Sequence, residues 1–192
     1  MAPFEYLLLF ASVILGLAVC ELAIGVNRLL GAWARVKWDW LTPLAGLLVF
    51  LKLVTQWWSW HGAVSLAAGI TFEMYLAVLV GAVLLFMLAA AALPNPAGGE
   101  ESVDLRAHYE RVRRRFWIVF TLHFAVGVGT SLWLQMAIRT GGTTSWLVWL
   151  VWLMVPVSLS LAIFRNRIWH SVALVALCLL YLVQFWGHTL PS

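Results

Sequence analysis

Apolar residues in this chain run in long unbroken blocks, separated by short polar breaks. Six blocks stand out: Phe4–Leu30, Leu41–Trp60, Ile70–Leu93, Phe116–Ile138, Trp146–Phe164 and Ile168–His188. A helix needs about 20 apolar residues to cross a hydrocarbon core about 30 Å thick. Each block is therefore expected to form a transmembrane helix, which makes the fold class all-α, an integral membrane bundle of six transmembrane helices. The blocks use most of residues 1–192, so a single transmembrane domain is expected, with 94–115 as a cytosolic linker and interfacial helix. The first block has no basic leading segment and no small-residue cleavage site, and is expected to stay as a helix.

Composition agrees. The chain is 64% hydrophobic and only 10% charged, with a mean hydropathy of +0.94, a balance foreign to soluble domains. The net charge of +4 suggests an anionic partner until its placement is read. Arg28, Arg35 and Lys37 follow the first block. Arg106, Arg111, Arg113, Arg114 and Arg115 follow the third, and Arg165 and Arg167 the fifth. Only Arg139 falls on the opposite side. This positive-inside asymmetry puts the odd-numbered connections in the cytoplasm and the N- and C-termini outside it. It also makes nucleic acid a poor partner and the lipid bilayer the natural one. Tryptophans gather near the expected interfaces, among them Trp33, Trp38, Trp40, Trp117 and Trp169 on the inner side, where an indole can be both buried and hydrogen-bonded.

PNPAGGEE, Pro94–Glu101, is the one clear linker. After it Ser102 can cap a helix from Val103 with Leu105, Tyr109, Val112 and Phe116 on one face and arginines around the rest. This reads as a basic amphipathic helix lying on the inner leaflet before turning into helix four. Cys20 and Cys178 lie in apolar blocks without a CxxC and read as small buried hydrophobes.

Polar residues inside the blocks carry the functional clue. A lysine at the bilayer midplane costs roughly 2.5–3.5 kcal/mol. At about 1.5 Å per residue, Lys52 lies ~15 Å, Glu21 ~13 Å and His123 ~12 Å from the inner boundary. Their shared depth defines a candidate polar centre, Glu21, Lys52, Gln56 and His123. The expected arrangement packs helices one, two and four around a Glu21–Lys52 ion pair, with hydroxyls bonding across the gap. It serves as a structural pin or lines a path for protons or a small ion. A second polar set lies toward the outer face: His61, Glu73, Gln135, Gln184 and His188. Haem is a minority alternative, with His61 and His188 or His123 and His170 as axial pairs. No metal site, nucleophile elbow, P-loop or dinucleotide fingerprint is present, so no catalytic residue is assigned.

The opening FEYLLLFASVILGLAVCELAIGVNRLL, the WWSW of the second block and VDLRAHYERVRRRF resemble a family of small, uncharacterised multi-helix bacterial inner-membrane proteins. The resemblance runs from Phe4 to about Trp117. It implies a multi-pass protein of the bacterial cytoplasmic (inner) membrane and brings no activity. The expected function is channel- or transporter-like and non-enzymatic, in a homo-oligomer. The alternative is an accessory or scaffold subunit of a larger membrane complex.

Overall fold

The computed structural model describes residues 3–63, 71–95, 102–138 and 146–185. It is helical apart from two short strands. Helix α1 spans Pro3–Gly31 and is followed by a 3-10 turn, Trp33–Arg35, and strand β1, Val36–Lys37. Helices α2 (Leu41–Ala63) and α3 (Phe72–Ala92) come next, then strand β2 (Val103–Asp104). Helices α4 (Leu105–Ile138), α5 (Trp146–Ile163) and α6 (Arg167–Phe185) complete the chain.

Among the described residues, three segments are long and apolar enough to cross a membrane: Tyr6–Gly31, Leu41–Trp60 and Phe72–Ala92. In α5 and α6 the apolar runs among the described residues are shorter, Leu153–Ile163 and Arg167–Val183. The outer faces of the helices carry large apolar side chains, including Phe10, Leu17, Phe50 and Val83. A protein that folded in water would not present so much of them.

Buried positions follow helical spacing. On α1 they are Leu7, Ala11, Leu15, Ala18, Leu22, Gly25 and Leu29, in steps of three and four that keep one stripe facing the bundle. Helix α2 is the most central: it packs against α1, α3, α4 and α6. Helix α1 packs chiefly on α3, and α4 lies between α3 and α5. Leu93, just past the end of α3, fits between two glycines. A Cβ on Gly25 would come within 3.1 Å of its side chain, and one on Gly46 within 3.3 Å. Small residues thus let α1 and α2 close on the α3 terminus.

Three expectations change. Helix four does not begin at Phe116: α4 is one continuous helix of 34 residues, about 51 Å long at 1.5 Å per residue. No turn separates a basic interfacial helix from a spanning one. The apolar face of the basic segment, Leu105, Tyr109 and Phe116, is buried in the protein's own core rather than in the leaflet. The cap is not Ser102 either. Asp104 Oδ1 accepts the Ala107 N–H at 2.9 Å, because Val103 and Asp104 are held extended in β2. Finally, Cys20 is exposed rather than buried, whereas Cys178 is buried as expected.

Strand pairing explains how one end of the bundle is organised. β1 and β2 pair in parallel, Val36 with Val103 and Lys37 with Asp104. This joins the α1–α2 connection to the α3–α4 connection. Arg167, at the start of α6, reaches Asp39 with Nη2 2.6 Å from Oδ1. The three Arg-rich connections therefore meet at one end, as an alternating up-and-down course requires.

Candidate functional site

Lys52 sits on the face of α2 that meets α4 and α6. Its Nζ donates to Gln56 Oε1 at 2.9 Å, one turn along the same helix. The ammonium lies 5.2 Å from the Phe124 ring centroid and 5.9 Å from that of Tyr181, a geometry in which the ring faces attract a cation. Tyr181 is itself buried, and its hydroxyl has no hydrogen-bond partner among the described residues. His123, on α4, stands edge-on to Phe124 at 5.7 Å. Its Nδ1 is 3.1 Å from the Gly81 carbonyl of α3. A carbonyl only accepts, so Nδ1 carries the hydrogen and Nε2 is left as an acceptor. A Cβ on Gly81 would lie 3.9 Å from the imidazole, in ordinary contact, so the approach rests on the backbone carbonyl alone.

Lys52, Gln56 and His123 thus come together, with Phe124 and Tyr181 added. Glu21 does not join them. The ion pairs among the described residues are Arg106–Glu110 and Arg167–Asp39, so the expected Glu21–Lys52 pair is not formed. Glu21 shares the α1 face of Ala18 and Gly25, and that face packs on α3 and α2, whereas Lys52 meets Phe124 of α4 and Tyr181 of α6. The hydroxyls also turn inward on their own helices: Thr55 to the Lys52 carbonyl, Ser59 to that of Thr55, Thr130 to that of Val126. Between α4 and α5 two hydroxyls do bridge helices, Thr121 Oγ1 donating to Ser158 Oγ at 2.9 Å.

Of the outer set, Glu73 is exposed in the first turn of α3. His61, Gln135 and Gln184 fall within α2, α4 and α6, but their side chains lie outside the described residues, as does all of His188. The inner haem pair finds no support. Both nitrogens of His170 are engaged, Nδ1 with the Tyr109 hydroxyl at 2.8 Å and Nε2 with the Phe164 carbonyl at 3.0 Å, which leaves none for iron.

Nothing in the sequence pattern signals the polar network at the Arg-rich end. His170 must donate from Nε2 to Phe164, so Nδ1 accepts and the Tyr109 hydroxyl donates to it. Tyr109 in turn accepts the Trp117 indole N–H at 3.2 Å. Burial pushes the Tyr109 hydroxyl up to about 12, so it keeps the proton it donates. Arg113 is buried with its Nη1 on the carbonyls of Leu161 at 3.2 Å and Phe164 at 2.5 Å, closing the end of α5. Thr42 Oγ1 donates to the Leu105 carbonyl at 2.7 Å and ties α2 to α4. Only the arginines stand out in the sequence, and there they read as surface charge.

His108 gives this end a pH dependence. Its Nε2 is 3.2 Å from the Ala91 carbonyl at the close of α3. Burial, with Arg111 nearby, holds the imidazole below its ordinary value of 6.5, against the opposing effect of that hydrogen bond. The unfolded chain takes up the proton first. Stability contributed by neutral His108 is therefore complete above about pH 6.5 and is lost as pH falls toward the folded value. Thermal denaturation in detergent between about pH 7.5 and pH 5 is expected to show a smaller loss for His108→Gln than for the wild type. Equal slopes would mean that His108 does not contribute.

No family model matches the chain, and neither does any curated protein or solved structure.

Proposed function

We propose that the protein is a six-span protein of the bacterial inner membrane that moves protons or a small ion through the α2–α3–α4–α6 junction. In this reading both termini lie outside the cytoplasm and the Arg-rich end faces it, following the distribution of basic residues. One observation carries the functional part. Lys52 is a cation inside an apolar bundle with no carboxylate partner among the described residues, and beside it Tyr181 keeps a buried hydroxyl without a partner among them. A charge without a counter-charge and a hydroxyl without a partner cost stability inside an apolar bundle, and proteins retain such groups where they act on something that passes. His123 Nε2 supplies a proton acceptor next to these donors.

The test is flux in proteoliposomes. Reconstituted wild-type protein carries a proton or small-ion flux above that of empty liposomes, and Lys52→Met abolishes it. Absence of flux for protons, sodium, potassium and chloride alike would end this reading. A specific observation favours a second one. Glu21 is half-buried on α1 and has no ion pair among the described residues, which suits a residue completed by a neighbouring subunit. A homo-oligomer supplies such a neighbour. So does a larger complex in which this chain is an accessory subunit, and stoichiometric co-purification of a second protein separates the two.

A further inference from the structure

At the Arg-rich end, a cavity of about 640 Å³ opens between the β1–α2 connection and the starts of α4 and α6. Lys37, Trp38, Trp40, Arg106 and Arg167 line it, with Asp39 and Asp104 in the wall. Both acidic groups are already committed. Asp39 Oδ1 holds Arg167 at 2.6 Å, and Asp104 caps α4. Lys37 has no side-chain hydrogen bond or ion pair among the described residues, and Arg106 has only an exposed pairing with Glu110 at 3.3 Å, a kind of pair worth little. The cavity thus keeps positive charge to offer. Helices α2, α4 and α6 begin at Leu41, Leu105 and Arg167, so three positive helix ends lie on the same side, each with one N–H capped by Asp39, Asp104 or Asn166. Asp39 Oδ2 is a buried carboxylate oxygen without a partner among the described residues. Trp38 and Trp40 stand half-exposed at the rim, the placement of indoles at the edge of a bilayer.

We propose that this cavity binds a phosphate ester whose alcohol part carries a hydroxyl or ammonium donor. The phosphate lies between Lys37, Arg106 and Arg167, and the donor faces Asp39. Tetrahedral phosphate suits several cations converging from different elements, because its oxygens accept from all of them at once. A volume near 640 Å³ has room for a headgroup beyond the phosphate itself. The same chemistry occurs in a phosphatidylglycerol or phosphatidylethanolamine headgroup and in a free phosphorylated alcohol. The site is separate from the Lys52 junction and does not depend on transport.

The experiment titrates the full-length, delipidated protein in detergent with short-chain phosphatidylglycerol, short-chain phosphatidylethanolamine and soluble glycerol phosphate. Binding is read by calorimetry and native mass spectrometry. Saturable one-to-one binding is expected, weakened roughly five-fold by each of Lys37→Gln and Arg106→Gln, the effect of removing one cation that faces an anionic headgroup. Both side chains are exposed, so neither change threatens the fold. Arg114→Gln, the same charge change on an exposed residue outside the cavity, is expected to leave binding unchanged. Binding of the lipids alone identifies a headgroup site, and binding of glycerol phosphate as well identifies a solute site. No saturable binding by any probe, or an equal loss in Arg114→Gln, overturns the proposal.

Discussion

Arg113→Ala is expected to destabilise the bundle by about 3 kcal/mol, because a buried and a part-buried carbonyl lose a charged donor at once. The last carbonyls of a helix have no donor within it. At the end of α5 the carbonyls of Leu161 and Phe164 depend on Arg113 Nη1, and the positive guanidinium also meets the negative end of the helix. Removing it leaves Leu161 without this donor and Phe164 with only the His170 ring. Each buried carbonyl stripped of its partner costs roughly 1–3 kcal/mol, and the aliphatic stem of the arginine takes its packing with it. Arg113→Lys keeps the charge but cannot reproduce the planar fork, so it should recover about half of the loss. Reversible unfolding in mixed micelles, followed by circular dichroism, measures both. A loss under about 0.5 kcal/mol for the alanine variant, the range of an ordinary surface substitution, would show that Arg113 does not support α5.

This residue marks where the sequence stops being readable. Helix positions are legible because long apolar blocks have one structural outcome in a membrane. The observed α1, α2, α3 and α5 begin and end within about three residues of the blocks that announce them. Arg113 reads as one more basic residue on a surface, since composition does not distinguish an arginine facing lipid headgroups from one folded under the end of a neighbouring helix. The single long α4 is hidden for a related reason. Five arginines interrupt its hydropathy but not its backbone, because a helix tolerates charge wherever that face is solvated or paired.

The candidate site divides along the same line. Depth can be counted from the boundaries, and it does bring Lys52, Gln56 and His123 together. Lateral order cannot be counted. Glu21 shares their depth, but α1 lies on the α3 side of the bundle and its carboxylate does not reach the junction. Gly81 and Tyr181 are invisible for a different reason. A glycine whose backbone carbonyl meets His123, and a tyrosine whose ring rather than hydroxyl meets the lysine, acquire meaning only once four helices are placed.

Lys52→Met separates the two accounts of the junction by the size of its effect on stability. Were Lys52 one half of a buried ion pair, its removal would strand the other charge and cost about 3–5 kcal/mol. Without a carboxylate partner the balance differs. The lysine gives back roughly 2.5–3.5 kcal/mol of insertion cost. Against this stand its charged hydrogen bond to Gln56, about 1.5–3 kcal/mol, and the attraction of the Phe124 and Tyr181 rings, about 1 kcal/mol. These nearly cancel, so the variant should unfold within about 1 kcal/mol of the wild type. Lys52→Met with Gln56→Leu, which also removes the stranded amide, should be more stable than Lys52→Met alone by about 1–2 kcal/mol. Loss of flux in a variant that keeps its stability would mark Lys52 as a residue retained for function at the expense of the fold. A loss of several kcal/mol would mean that Lys52 has an anionic partner after all. Glu21 of a second copy would then be the first place to look, and Glu21→Gln should produce the same loss.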